Sequence, residues 1–373
     1  MSKARQLAQK PSQPTGRKNM AYNGAMTVWQ RGTSDDTASN NDYMCDRWQI
    51  GFTGLDGNVD WDQSTDTPND DFAYSLKVSM DASEASLDAA DRIHIQQKFE
   101  GQDLQHLRYG SSGAKTCTVS FWVKSSVAAT YTLDIFQNEA VTNRVIGRSY
   151  TINTADTWEH KVITFPGDTS QAIENDNSEG LRLGWWLDAG SSFTSGTFSE
   201  DWQDYDATER IHSTTGWLES TSPEFYITGV QFEVGSTATE FEHRSFAEEL
   251  ALCQRYYYRI ERTDSTDSNN AIGRGVADTY VGIGQVNSAT VVYMDVRPPV
   301  TIRDTPTVDY SAVGDLVVND GTGQNASAIL IVGHKMLNHV FLQITPSANL
   351  TAGRACRAFL TAVGDFIEFK AEL

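Results

Sequence analysis

Between Gly24 and Val234 the chain reads as short runs in which apolar and polar residues alternate, broken by Gly, Asn, Asp and Ser. "YSLKVSM" (residues 74–80), "RIHIQQKF" (92–99), "TVSFWVKS" (118–125) and "YTLDIFQ" (131–137) follow this rule. So do "HKVITFP" (160–166), "LRLGWWL" (181–187) and "EFYITGVQFEV" (224–234). Side chains of a strand alternate between its two faces, so a period of two predicts β-structure. In "TVSFWVKS" it places Val119, Phe121 and Val123 on one face. No strand–helix rhythm runs through the region, which argues for an antiparallel sandwich and against a parallel α/β sheet.

One helix interrupts the pattern. Ser245 and Glu248 have capping-box spacing, and Phe246, Leu250, Cys253 and Tyr257 then fall on one helical face. A second β-rich segment follows from about residue 260. There "NDGTGQN" (319–325) signals a hairpin, and Pro298, Pro299 and Pro306 limit where central strands run. The expected organisation is an arm over residues 1–20, a sandwich over 21–244, a connecting helix over 245–259 and a smaller C-terminal β domain over 260–373. The fold class is all-β.

Charge sharpens this division. The 373-residue chain carries a net charge of −20, which disfavours general nucleic-acid binding, because phosphate recognition needs concentrated Lys and Arg. Residues 1–20 hold Lys3, Arg5, Lys10, Arg17 and Lys18 and no acid. Removing these five from the 29 Lys and Arg leaves 24 basic against 49 acidic residues. A basic arm on an acidic body reads as a tail that binds something. The arm lacks the apolar stretch of a secretory signal, and no run approaches the eighteen or so apolar residues of a membrane span. Cys45, Cys117, Cys253 and Cys356 lie far apart, which fits buried free thiols rather than a disulfide or zinc framework.

Several stretches together resemble a family. "NGAMTVWQRGTS" (23–34), then "YMCDRWQI" (43–50), "VSFWVKSS", "DTWEHKVITFPGD" and "YITGVQFEVGSTATEFEHRSFAEELALCQRYY" are similar, in order, to bacteriophage tail fibre and other virion proteins with a carbohydrate-binding-module-like jelly-roll domain. The resemblance covers residues 20–258. It implies a jelly roll, a virion location after assembly in the host cytoplasm, a homotrimer, and attachment to other virion proteins through the basic arm.

All nine Trp residues lie in the first domain. Sugar rings stack on such side chains, while core packing is the ordinary use of aromatics; Trp48, Trp122 and Trp158 are expected in the core. Residues 188–217 are too long and polar for a simple hairpin loop, yet rich in aromatics. Long loops of this kind are functional or form covers. Trp202, Gln203, Asp204, Tyr205 and Arg210 are the candidate glycan-binding residues. Trp202 would stack on a ring while Gln203, Asp204 and Arg210 hold hydroxyls.

Catalysis finds no assembled constellation. The seven His residues form no H-E-x-x-H arrangement, and neither G-x-S-x-G nor a P-loop occurs. The acidic stretch 62–71 offers hard oxygen ligands, but without EF-hand spacing it reads as a solvated loop. No enzyme, cofactor or metal is expected. The expected role is a tail fibre that binds host glycans during adsorption; the alternative is a structural virion component without sugar binding.

Overall fold

The structure, a computed structural model, describes residues 17–139, 142–263, 279–331 and 339–373. The chain divides into two compact units, residues 1–246 and 247–373. Unit 1 holds β1 (Ser34–Asp35), β2 (Gln49–Thr53), β3 (Val59–Ser64), β4 (Ser75–Met80), β5 (Arg92–Glu100) and β6 (Cys117–Ser125). It continues with β7 (Thr130–Gln137), β8 (Arg144–Thr151), β9 (Glu159–Phe165), β10 (Glu179–Ala189), β11 (Gln203–Asp204) and β12 (Glu224–Val234). These form two six-stranded antiparallel sheets, ordered β1-β3-β4-β12-β6-β9 and β11-β8-β7-β10-β5-β2. The chain crosses repeatedly between them, as in a jelly roll. Below, they are the first and second sheet.

Their inner faces meet in an aromatic core. Trp48 and Trp185 are fully buried with ring centroids 5.2 Å apart, and Phe121 meets Trp185 edge-on at 5.8 Å. The expectation for Trp48 holds. Trp122 and Trp158 differ: both are half-buried on the outward face of the first sheet. The cause is the pleat. Val119, Phe121 and Val123 point inward and are buried, so Trp122 must point outward.

The residues that carry the family resemblance form a buried polar network in this unit. The Asn23 side chain is fully buried; its Oδ1 accepts from the Thr27 and Val28 N–H groups, and its Nδ2 donates to the Val28 and Asp46 carbonyls. Asp46 in turn accepts from the Gln30 backbone N–H at 2.7 Å and side chain at 2.6 Å, and pairs with Arg31. Trp48 Nε1 donates to the Asn23 carbonyl. Adjoining this network through the Val230 N–H to Gly24 carbonyl bond, Gln231 and Glu233 pin the turn through Thr239 and Glu242. Glu242 Oε2 accepts from the Lys18 and Asn19 N–H groups, and Arg244 donates to the Asn19 and Ala21 carbonyls. The motif is thus a clamp of buried polar groups satisfying one another, as burial requires.

Unit 2 begins within the helix Phe246–Gln254. It continues with β13 (Tyr257–Glu261), β14 (Thr279–Ser288), β15 (Val291–Val296), β16 (Thr307–Tyr310), β17 (Leu316–Asn319), β18 (Gly323–Ile331), β19 (Val340–Pro346), β20 (Ala355–Leu360) and β21 (Phe366–Lys370). Six of these close a barrel, β14-β15-β19-β18-β17-β20, and β13-β21-β16 form a small sheet. The "NDGTGQN" hairpin is present: Asn319 pairs with Gly323, and Gly321 takes a φ of +121°. The helix is turned differently from the expected apolar face. Phe246 is 59% exposed, the buried positions are Glu249 and Cys253, and Tyr257 already belongs to β13. All four cysteines are buried free thiols.

Candidate functional site

After β10 the chain spends residues 190–215 on the outward face of the second sheet. Asp188, buried, starts this excursion and ends it: its carboxylate accepts from the Ala189, Thr215 and Leu218 N–H groups. Desolvation raises its pKa, and these hydrogen bonds oppose the rise. In between, Phe193 packs on Trp186 with centroids 5.7 Å apart, and Ile211 joins them. Arg210 Nε donates to Asp134 Oδ2 at 2.6 Å, while its guanidinium lies 4.9 Å from the Trp186 ring centroid and 5.0 Å from that of Phe136. The segment is therefore a cover, held by ring packing and one buried ion pair.

Beneath and beside it lies a polar–aromatic floor. Strand registers place Gln49, Gln96, Gly184 and Asp134 in one row across β2, β5, β10 and β7, with His94 and Trp186 in the neighbouring row. A relay crosses the floor. Gln49 Nε2 donates to the Asn41 carbonyl, and Gln96 Nε2 donates to Gln49 Oε1 at 2.6 Å. Gln96 Oε1 is left to accept from His94 Nε2 at 3.3 Å. Burial, followed by the nearby Arg210, Arg92 and Arg182, holds the His94 pKa well below the usual imidazole value, so the ring is neutral. The relay puts its proton on Nε2, and Nδ1 presents a lone pair.

Three buried atoms of this floor have no protein partner: His94 Nδ1, Asp134 Oδ1 and Trp186 Nε1. Two are acceptors and one is a donor. His94 and Trp186 stack, with centroids 4.6 Å apart and planes 24° apart. Gly184 lies among them, since a Cβ there would collide with Asp134 Oδ1 and meet Trp186 Nε1 at 3.5 Å. The absent side chain lets both polar atoms lie close against the backbone of β10. Such atoms are costly to leave unpaired and invite a hydroxyl or water.

The sequence-predicted residues divide between this floor and its rim. Arg210 is 7% exposed and already bonded to Asp134, so it shapes the floor from within the cover rather than offering a free guanidinium. Tyr205 is 39% exposed and meets Phe136 edge-on at 5.4 Å. Gln203 and Asp204 form β11 at the sheet edge, where Asp204, 75% exposed, pairs with Arg144 at 2.7 Å. Trp202 lies farther along the rim, donating to the Pro166 carbonyl at 2.7 Å with its ring edge-on to Tyr109. Thus Tyr205 and Arg210 meet over Phe136, and Trp202 does not join them. Of the arm, Lys3, Arg5 and Lys10 lie outside the described residues; Arg17 and Lys18 begin them.

Sequence reasoning missed His94, Gln96, Asp134 and Trp186. The signal was the polar half of the alternation: "RIHIQQKF", "YTLDIFQ" and "LRLGWWL" each carry polar or aromatic residues at their outward positions, and three neighbouring strands combine them.

The outward face of the first sheet carries a second cluster. Trp122 tilts against exposed His160 at 5.0 Å, and Trp158 Nε1 donates to Asp66 at 2.8 Å while Lys124 sits 4.0 Å from the Tyr226 ring centroid. Among the described residues no group of three His, Cys, Asp or Glu side chains is placed to hold a metal ion, and no helix is long and apolar enough to cross a membrane.

No family model matches the chain, and no curated protein matches it. Solved structures are similar over parts of it. The enzymatically active domain of bacteriophage CBA120 tailspike protein 4 matches 51% of the chain at 12% identity and a TM-score of 0.29; the match spans 19% of that protein's chain. The family 11 carbohydrate-binding module of a Clostridium thermocellum cellulase matches 56% of the chain and 100% of its own, at 12% identity and a TM-score of 0.27. A xylan-binding domain from Paenibacillus barcinonensis matches 51% of the chain and 92% of its own, at 15% identity and a TM-score of 0.28. The sandwich itself is defined by its strand order and registers.

Proposed function

We propose that the chain is a bacteriophage fibre protein whose first unit binds host-surface glycans during adsorption, as a homotrimer attached to the virion through its basic N-terminal arm. One observation carries the glycan part: unpaired donor and acceptor atoms stand beside stacked aromatic rings on the outward face of the second sheet. Sugars offer that pair of features, hydroxyls that both donate and accept, and C–H faces that rest on rings. Arg92 and Arg182, beside this floor, are half-buried and reach solvent.

A second reading has its own support. The cover leaves Trp186 only 2% exposed, so the same face also suits a sealed scaffold with internal waters, in a structural virion protein that binds no sugar. The two separate on a glycan array with the intact chain and Trp186→Phe. The variant keeps an aromatic six-membered ring and removes the pyrrole portion with its N–H. Glycan binding by the intact chain, weakened about tenfold in the variant, supports the first reading, by the usual worth of one hydrogen bond in a desolvated site. An array without any bound glycan supports the second.

A further inference from the structure

The chain is strongly acidic, with 49 Asp and Glu against 29 Lys and Arg. Arg92, Lys98 and Arg182 lie on the outward face of the second sheet and Arg210 in its cover, a segment that also carries Glu200, Asp201, Asp204, Asp206 and Glu209. Asp134 takes Arg210 at 2.6 Å. Glu179 takes Arg182 at 2.7 Å and Lys98 at 3.8 Å.

Arg92 is the exception within this group. It is half-buried at the start of β5, opposite exposed Thr53, with its guanidinium 5.1 Å from the Phe193 ring centroid. Among the described residues it pairs with no carboxylate, and its buried Nε has no hydrogen-bond partner. Desolvation, then the neighbouring Arg210 and Arg182, lowers its pKa, so the site already bears a repulsion that an anion would relieve. Arg210 and Arg182 each hold a carboxylate in a guanidinium–oxygen contact. A planar fork of donors matches a carboxylate, and Arg92 is the one guanidinium of the three without its own.

We infer that the ligand of this face is an acidic sugar, whose carboxylate pairs with Arg92 while its hydroxyls meet His94 Nδ1, Asp134 Oδ1 and Trp186 Nε1. This rests on the glycan-binding reading above and narrows it to one chemical class. A neutral glycan offers no counter-charge to this half-buried guanidinium, whereas a carboxylated one pairs with it.

The test is calorimetric titration of the full chain with polygalacturonate, hyaluronan and polysialic acid. Each is paired with its methyl-esterified form, and dextran sulfate serves as a non-carboxylate polyanion. At least one carboxylated polymer binds about tenfold or more tightly than its ester, as expected for a charge-assisted pair, and weakens with added salt. Arg92→Gln removes that preference without shifting the melting temperature, and Arg92→Lys restores part of it. Equal binding of acid and ester forms overturns the inference and leaves the glycan reading standing. Equal, Arg92-dependent binding of dextran sulfate overturns the choice of a carboxylate. A preference for acid that survives Arg92→Gln removes it from this face, and no binding by any polymer or by a neutral glycan array sinks both readings.

Discussion

Arg210 and Asp134, seventy-six residues apart in sequence, form a buried ion pair that ties the cover of residues 190–215 to the middle of the second sheet. Removing one partner leaves a buried charge alone. Arg210→Met and Asp134→Asn are each expected to lower unfolding free energy by about 3–5 kcal/mol, and the double variant by less than their sum. Urea denaturation of the four proteins measures this. Limited proteolysis provides a second reading, since Arg210→Met frees the cover while the sandwich persists.

Asn23 adopts a φ of +49°, in the left-handed region, and its side chain satisfies two N–H groups and two carbonyls. Asn23→Ala loses both advantages. A loss of about 3 kcal/mol or more is expected, because buried partners are orphaned and alanine tolerates that conformation poorly. Asn23→Asp keeps the acceptor and loses the donor, so it should fall between. Thermal melts rank the three proteins.

Asp60 sits among like charges. Desolvation, followed by Asp81, Asp36 and Asp62, raises its pKa to about 6, and its Oδ1 has no hydrogen-bond partner. An acid whose folded pKa exceeds its unfolded value destabilises the fold when ionised, and protonation relieves the penalty. Asp60→Asn should therefore raise the melting temperature at pH 7.5. The gain should shrink as pH falls through about 6, be small at pH 4 and vanish only below about pH 3, where Asp60 is protonated in both states. A gain that is unchanged at pH 4 contradicts the electrostatic cause.

The clamp predicts where the chain tolerates truncation. Glu242 and Arg244 hold residues 18–21. Deleting residues 1–16 should leave the melting temperature unchanged and abolish incorporation into particles. Deleting residues 1–21 should also unfold or strongly weaken unit 1. Calorimetry and particle pull-down read the two effects separately.

Much of the strand content was legible because alternation directly reports which face of a strand is dry. The aromatic core around Trp48 followed from it. Trp122 was misplaced because a large aromatic on a strand suggests burial by type, while the pleat fixed by Val119, Phe121 and Val123 decides the matter by position. The helix was misread for a related reason. Its apolar residues have helical spacing, but the chain leaves the helix at Gln254, so Tyr257 packs as a strand residue and Phe246 points to solvent. At the candidate site, Tyr205 and Arg210 stood in the right segment. What that segment lies upon was hidden, since His94, Asp134 and Trp186 come from three strands whose adjacency is set by sheet order rather than by sequence distance.

The clamp that joins residues 18–21 to 242–244 has a consequence beyond stability. It brings the entry and exit of the sandwich within hydrogen-bond reach of each other, so unit 1 occupies almost no length along the path of the chain that contains it. A domain with that property behaves as a cassette. It can be spliced into a surface loop of another protein, or its ends fused and a new opening cut at a turn, without stretching the host. Exchange of whole sandwiches between otherwise unrelated chains then requires only a matching gap of one hydrogen-bonded pair.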